Sequence, residues 1–168
     1  TDYYGNEYIS DGVYSVKSGM TNSSHLVKVN KDGTQDNLGP FCSYHSPLRH
    51  HGDTIYWSEY KPDPRWSMRS FSIIKGRVSS TGKTFTIGNK SSRYYSPAAS
   101  ADNELSVTEY PFKGGSRLLV MDSRNGSIKG TFKAPDSLQI VESCWIGRDI
   151  YFSGVSGKGI GIYKLCSE

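Results

Sequence analysis

One stretch of the sequence is repeated, and an internal repeat constrains the fold of a chain more than any other sequence feature. Residues 46–60 and 96–110 both begin with Ser-Pro, both carry a short polar turn in the middle, and both end in Glu-Tyr. Between the turn and the Glu-Tyr, apolar and polar residues alternate, which is typical of a half-buried β-strand. The repeat therefore predicts a chain built from equivalent β units, about fifty residues apart.

Alternating segments elsewhere in the chain predict further strands, and most of them come in pairs joined by turn residues. The predicted hairpin pairs are Val13–Lys17 with His25–Asn30, Ile55–Tyr60 with Ser70–Lys75, Leu105–Tyr110 with Arg117–Asp122, and Ile150–Ser153 with Ile160–Leu165. Additional strands are predicted at 41–47, 83–87, 94–99, 129–133 and 138–145. No segment has the 3.6-residue period of a helix, so the sequence predicts an all-β protein.

A unit of four strands in about 45 to 50 residues is the size of one β-propeller blade. The predicted fold is therefore a set of β-propeller blades, each an antiparallel four-stranded sheet, covering residues 1–168 as one domain. The approximate blade boundaries are 1–40, 41–91, 92–136 and 137–168. Gly12, Gly52, Asp102 and Gly147 mark the equivalent turns.

The first and last units are predicted to be incomplete. Unit one is expected to lack its outermost N-terminal strand, and unit four is expected to stop after its third strand, at Cys166. Because closed propellers commonly have more blades, we expect either a fragment of a larger propeller or a ring that a second copy of the chain completes. Open edges are expected at Val13–Lys17 and Ile160–Leu165, where another copy of the chain could pair.

Composition argues against several classes of partner and site. The net charge is only +4, and the Lys and Arg residues are scattered among carboxylates, so no nucleic-acid partner is expected. No run of 18 apolar residues exists, so no membrane span is expected. Cys42, Cys144 and Cys166 have no short spacing, which indicates neither a disulfide framework nor a C-x-x-C site.

The sequence also offers little that could catalyse a reaction. No G-x-S-x-G motif is present to supply a serine nucleophile. Glu59 and Glu109 belong to different units, and each faces an arginine across its hairpin, Arg69 and Arg117, so we interpret both as structural ion pairs. The prediction is a protein that is not an enzyme, with no catalytic residue and no cofactor.

One group of residues could in principle bind a metal: His45, His50 and His51 with Cys42. His50 and His51 are adjacent, however, so on a strand their side chains would point to opposite faces. The aligned positions in the third unit carry Ser and Ala. We therefore interpret this segment as a turn and predict no metal site.

The loops at one rim of the predicted blades carry the candidate partner-binding residues, since loops held by a rigid scaffold often carry function. These residues are Lys61, Asp63, Arg65, Trp66, Arg93, Tyr95 and Phe112. Arg and Trp are frequent anchors of protein interfaces. The alternatives are that Trp66 folds back onto its own blade and that Phe112 plugs its loop.

The third unit shows a motif that resembles a known family. Its parts are the Ser-Pro segment and polar turn of 96–105, the strand 118–122 that ends in Asp, and the Asn125-Gly126 turn. This pattern is similar to the TolB-like, WD-repeat-like β-propellers of bacterial secreted or envelope proteins. The chain departs from the family where Asn103, instead of Gly, follows Asp102. The resemblance implies a periplasmic or secreted location and a role as a binding platform or as the gate of a prolyl-oligopeptidase-like enzyme.

Three hypotheses for function follow. The first is a non-catalytic interaction module that binds a protein, peptide or glycan on its loop rim. The second is the accessory propeller of a larger hydrolase whose catalytic domain lies outside this chain. The third is a structural spacer that associates with itself through its open blade edges.

Overall fold

The chain forms antiparallel β-sheets. The computed structural model describes residues 7–10, 13–18, 24–42, 46, 48–61, 71–87, 93–94, 97–99, 102–110 and 115–166. Every regular element in these ranges is a strand, and this confirms the all-β prediction. Among the same residues, no helix has the length and apolar character needed to cross a membrane.

The strands form four sheets, A to D, in chain order. Sheet A contains β1 (Glu7–Ser10), β2 (Tyr14–Ser18), β3 (Ser24–Val29) and β4 (Gln35–Phe41). Sheet B contains β5 (Arg49–His51), β6 (Thr54–Lys61), β7 (Phe71–Val78) and β8 (Thr84–Ile87). Sheet C contains β9 (Arg93–Tyr94), β10 (Ala98–Ala99), β11 (Glu104–Tyr110), β12 (Arg117–Asp122) and β13 (Ile128–Lys133). Sheet D contains β14 (Leu138–Ile146), β15 (Asp149–Ser156) and β16 (Gly159–Leu165).

Successive sheets pack face to face, because the alternating strands put apolar side chains on the faces that meet. Three buried clusters lie between them. The cluster between sheets A and B contains Tyr14, Val16, Leu26, Leu48, Ile55 and Trp57. The cluster between B and C contains Tyr56, Ile74, Ile87, Leu105, Val107, Leu119 and Met121. The cluster between C and D contains Leu118, Ala134, Ile140, Ile150 and Phe152.

Hydrogen bonds also join sheet C to sheet D. The Tyr110 hydroxyl donates to the backbone carbonyl of Ile140 at 2.7 Å. In the opposite direction, the indole Nε1 of Trp145 donates to the carbonyl of Ala98 at 3.1 Å. These polar links fix the position of one sheet over the other, which apolar contact alone specifies less well.

Sheet A corrects the prediction for the first unit. The unit does contain an N-terminal strand, since β1 pairs with β2 through Glu7 to Ser10. The segment predicted as an edge, Val13–Lys17, is therefore largely the interior strand β2, with β1 on one side and β3 on the other. The error arose because β1 is only four residues long, which is too short for a clear alternation.

Of the predicted strand at 41–47, residues 43–45 and 47 lie outside the described residues, and among the other three only Phe41 belongs to a strand. Phe41 ends β4 of sheet A, and the first strand of sheet B is the later segment β5. Ser46 lies between them, and its backbone N–H donates to the carbonyl of Ser58 at 2.8 Å.

Both copies of the repeat carry a residue with a left-handed backbone between paired strands. In sheet B, His51 pairs with Thr54, so Gly52, at a φ of 56°, belongs to a two-residue turn. In sheet C, Ala99 pairs with Leu105, and Asn103, which lies between them in the chain, has a φ of 58°. Asn tolerates this left-handed conformation better than most residues.

Candidate functional site

The structure fixes the backbone around part of the predicted rim. Lys61 is the last residue of β6 and pairs with Phe71, the first residue of β7. The loop between them, which carries Asp63, Arg65 and Trp66, lies outside the described residues. Two strand ends therefore hold this loop, and the predicted binding role of its residues stays a prediction.

The second part of the rim is placed in the same way. Arg93 begins β9 and pairs with Tyr110, the last residue of β11. β11 occupies the place in sheet C that β6 occupies in sheet B, so Arg93 and Lys61 lie at the same end of the stacked sheets. Tyr95 and Phe112 lie outside the described residues. The structure therefore places two of the seven predicted binding residues, Lys61 and Arg93, at the same end of the stacked sheets.

The predicted ion pair of sheet C is confirmed. Glu109 and Arg117 pair directly across β11 and β12, and the Arg117 Nε donates to the Glu109 carboxylate. Glu109 is only 3% exposed, so this carboxylate is shielded from solvent. Glu59, its counterpart in sheet B, lies opposite Ile73, and its predicted partner Arg69 falls outside the described residues.

Glu59 instead helps to line a small cleft between sheets A and B. The cleft has a volume of about 220 Å³, and its other walls include Cys42, Trp57 and Arg77. Burial, together with the nearby Glu59 carboxylate, raises the pKa of the Cys42 thiol to about 12. A thiol that stays protonated is a poor nucleophile and a poor metal ligand. This cleft therefore has little of the chemistry needed for covalent catalysis.

The histidines considered as metal ligands do not come together where they are described. His50 packs its ring edge-on against Tyr14, with 5.4 Å between the centroids. His51 follows it on β5 and is exposed, as expected for neighbours on a strand. Within the described part of the chain, no group of three or more potential metal ligands exists. His45 lies outside that part.

Sequence reasoning missed a polar contact between sheets that are not neighbours in the stack. The Arg49 guanidinium of β5 in sheet B forms an ion pair with the Glu142 carboxylate of β14 in sheet D. Sheet C lies between these two sheets in the chain, and its inner strand β10 contacts both β5 and β14. The inner strands of three sheets, β5, β10 and β14, therefore converge on a common axis. No local pattern could reveal this pair, because its residues are 93 positions apart.

An open pocket of about 210 Å³ lies beside this ion pair. Arg49 and Glu142 form its charged side, and Tyr151, Ser153 and Ile162 supply hydroxyl and apolar groups. The charges of Arg49 and Glu142 already neutralise one another. The arrangement can therefore hold a peptide-like or hydroxyl-bearing group through hydrogen bonds and apolar contact, and the free thiol of Cys144 also lines it.

Comparison with known proteins gives a match at the level of the fold. No protein-family model matches the chain, and no curated protein sequence matches it. The structure is similar to the β-propeller domain of the Trilobed protease from Pyrococcus furiosus, with a TM-score of 0.65 and 13% identity over 96% of this chain and 53% of that one. It is also similar to the acylaminoacyl peptidase of Pyrococcus horikoshii, with a TM-score of 0.55 and 13% identity over 98% of this chain and 32% of that one.

These likenesses identify the fold class. The four stacked antiparallel sheets are blades of a β-propeller, as the sequence predicted. The chain spans about half the length of the Trilobed protease propeller and about a third of the acylaminoacyl peptidase chain. At 13% identity, the comparison establishes the fold alone.

Proposed function

We propose that this chain is a non-catalytic interaction segment of a β-propeller, TolB-like or WD-repeat-like in kind, in a secreted or periplasmic bacterial protein. It binds a protein, peptide or glycan on the rim formed by the loops after β6 and β11 and the segment at β9. The observation that carries the proposal is the convergence of Lys61 and Arg93 at one end of the packed sheets. Rigid strands thereby present loops rich in anchor residues.

The composition of the loop after β6 supports a binding role. It contains Asp63, Arg65 and Trp66 between two strands that are paired along their whole length. Arg and Trp provide large contact areas and charge-assisted hydrogen bonds, and they dominate the binding energy of many interfaces. The pocket beside Arg49 and Glu142 extends from β14 across β15 to Ile162 of β16 and adds hydrogen-bonding groups.

The test is a binding screen with defined probes. The purified chain is applied to an array of immobilised synthetic peptides and to a glycan array, alongside an Arg65→Ala/Trp66→Ala variant. We expect ligands of the parent chain to lose at least about tenfold in affinity with this variant, because truncated hot-spot residues cost 2 kcal/mol or more. Circular dichroism establishes that the variant keeps its sheets.

A matched control changes two exposed cations at the opposite end of the sheets. Lys83 lies in the turn before β8, and Arg148 lies in the turn between β14 and β15. The Lys83→Ala/Arg148→Ala variant should bind the same ligands as the parent. The proposal is wrong if the rim variant binds as well as the parent, or if neither array yields a ligand.

A second candidate function is the accessory propeller of a larger hydrolase. It is favoured by the likeness to the propeller domain of a protease and to an acylaminoacyl peptidase. The discriminating observation is the sequence of the complete parent protein. A hydrolase domain next to this chain, with its nucleophile and base, would favour the accessory role over the free-standing binding role.

A further inference from the structure

The cleft between sheets A and B is lined by two buried N–H donors that have no acceptor. Trp57 is 3% exposed, and its indole Nε1 has no hydrogen-bond partner among the described residues, since the nearby Cys42 thiol is only a weak acceptor. The buried Nε of Arg77 also has no partner there. Both side chains line the same cleft of about 220 Å³. Because buried donors are nearly always paired in folded proteins, these two point to an acceptor that enters from the cleft.

Contacts with sheet A hold both donor side chains in place. The Trp57 ring packs against Phe41, the last residue of β4, with 4.7 Å between the ring centroids and 54° between the planes. The Arg77 Nη2 donates to the backbone carbonyl of Leu38, which is also on β4. The two side chains are therefore positioned before any ligand arrives, which lowers the entropic cost of binding one.

The alternation of the strands in sheet B brings hydrogen-bond acceptors to the same cleft. Ile55, Trp57 and Glu59 are spaced two residues apart on β6, so their side chains lie on one face of the sheet. Arg77 of β7 pairs with Ile55, and Thr84 of β8 pairs with Arg77, so these two residues share that face. The cleft therefore combines the two buried donors with the Glu59 carboxylate and the exposed Thr84 hydroxyl.

The charges around the cleft favour a neutral ligand that has a donor of its own. A free carboxylate would be repelled by Glu59, and an amine would be repelled by Arg77. Lys75 adds a second cation on the same face, where it donates to the Thr86 hydroxyl at 2.9 Å. An amide avoids both repulsions, because its carbonyl oxygen accepts from two N–H groups and its N–H donates to a carboxylate.

The walls of the cleft favour an amide that is carried by a sugar. Pro40 and Phe41 form an apolar side, against which a methyl group and the C–H face of a sugar ring can pack. Sugar hydroxyls next to the amide can donate to the second oxygen of Glu59 and form a hydrogen bond with the Thr84 hydroxyl. An acetylated lysine would supply the amide and the methyl group but would leave these two groups to water.

We propose that this cleft binds the acetamido group of an N-acetylated sugar. The carbonyl oxygen of the group accepts from the N–H groups of Trp57 and Arg77. Its amide N–H donates to Glu59, and its methyl group contacts Phe41. The described walls of the cleft include no predicted rim residue, so the site goes beyond the proposed rim function and does not rest on it.

The first experiment titrates the full chain with methyl N-acetyl-β-glucosaminide and follows the tryptophan indole N–H signals by two-dimensional NMR. The chain has three tryptophans, and the Trp57→Phe variant identifies the Trp57 signal by its loss. We expect this signal to move downfield in a saturable way, because its N–H gains an acceptor. The Trp145 signal should stay in place, since that N–H already donates to the Ala98 carbonyl.

Three further probes test the chemistry of the bound group and its source. Methyl β-glucoside lacks the amide, methyl β-glucosaminide carries an amine in its place, and Nε-acetyl-lysine carries the same amide without the sugar. Each should bind at least about tenfold more weakly than the N-acetylated sugar, because a site built around hydrogen bonds rejects analogues that leave its polar groups unpaired.

The second experiment measures the affinity of variants for the N-acetylated sugar. Glu59→Ala and Trp57→Phe should each weaken binding at least about tenfold, since each removes one hydrogen bond to the amide. The matched controls are Asp136→Ala, an exposed carboxylate between β13 and β14, and Trp145→Phe, and both should bind like the parent. Circular dichroism and urea unfolding establish that the variants are folded.

Four outcomes would overturn the proposal. They are the absence of a saturable shift of the Trp57 signal, equal binding of any of the other three probes, undiminished binding by folded Glu59→Ala, and loss of binding in the Arg65→Ala/Trp66→Ala variant alone. The last outcome would assign the sugar to the rim. Retained binding in that rim variant, with loss in Glu59→Ala, supports the cleft whether or not the rim binds a ligand.

Discussion

At the scale of the residue, Asn103 shows how a residue other than glycine occupies a left-handed position. Its φ is 58°, a conformation that costs most L-residues about 1–2 kcal/mol. We expect Asn103→Val to lower the free energy of unfolding by about 1–2 kcal/mol, since a β-branched side chain fits this region poorly. Asn103→Gly and Asn103→Asp should stay within about 0.5 kcal/mol of the parent. Urea unfolding measures all three.

The same series can contradict the assignment. If Asn103→Val unfolds at the same urea concentration as the parent, Asn103 does not hold a left-handed conformation in solution. If Asn103→Gly lowers the free energy of unfolding as much as Asn103→Val does, the Asn side chain stabilises the chain through its own contacts and not through its tolerance of a left-handed backbone.

The three cysteines provide a second test at this scale. The pKa of Cys42 is raised to about 12, so its reactive thiolate is scarce at about pH 8, whereas the Cys144 and Cys166 side chains are exposed. We expect iodoacetamide to label Cys144 and Cys166 first in the native chain and Cys42 only after unfolding. Peptide mass spectrometry identifies the labelled positions over time. Early labelling of Cys42 at the rate of the other two would contradict the buried placement.

At the scale of the element, the ion pair across β11 and β12 anchors sheet C. Glu109 is 3% exposed, and Arg117 has 41% of its side chain exposed. Arg117→Ala leaves a buried carboxylate without this donor, so it should lower the free energy of unfolding by about 1–3 kcal/mol. The control is Lys129→Ala, which removes the more exposed pair with Glu104 and should cost less than about 1 kcal/mol. Equal costs in urea unfolding would contradict a special role for Glu109.

Elements could be predicted from the sequence where a strand is long, alternating and followed by clear turn residues. The strand predicted at Arg117–Asp122 has the bounds of β12. The prediction failed at β1 and β5, which have four and three residues, because so few positions cannot establish a period. Hydrogen bonds to neighbouring strands, which the sequence does not display, place these short segments in their sheets.

The candidate sites follow the same rule. The Glu109–Arg117 pair was predictable because both residues belong to one hairpin and face one another directly. The ion pair of Arg49 with Glu142 and the cleft around Cys42 were not. Each is assembled from different sheets, and its residues meet only after the sheets have stacked.

At the scale of the whole molecule, the proposed rim at the ends of β6 and β11 presents loops on a stack of packed sheets. It depends on an architecture in which the inner strands β5, β10 and β14 of sheets B, C and D meet at one axis. That arrangement is the central claim. The ion pair between Arg49 of sheet B and Glu142 of sheet D is the contact that supports it.

Carbodiimide cross-linking of an Arg49→Lys variant tests this claim most directly, because the reagent joins an amine to a carboxylate only when the two touch. Lys129 with Glu104 and Lys164 with Asp149, each pair 2.8 Å apart within one sheet, serve as internal positive controls. If β5 and β14 converge on a common axis, peptide mass spectrometry will find position 49 joined to Glu142 in the monomer. If the two control links form and position 49 is joined only to carboxylates of its own sheet, the arrangement of the sheets around a common axis is wrong.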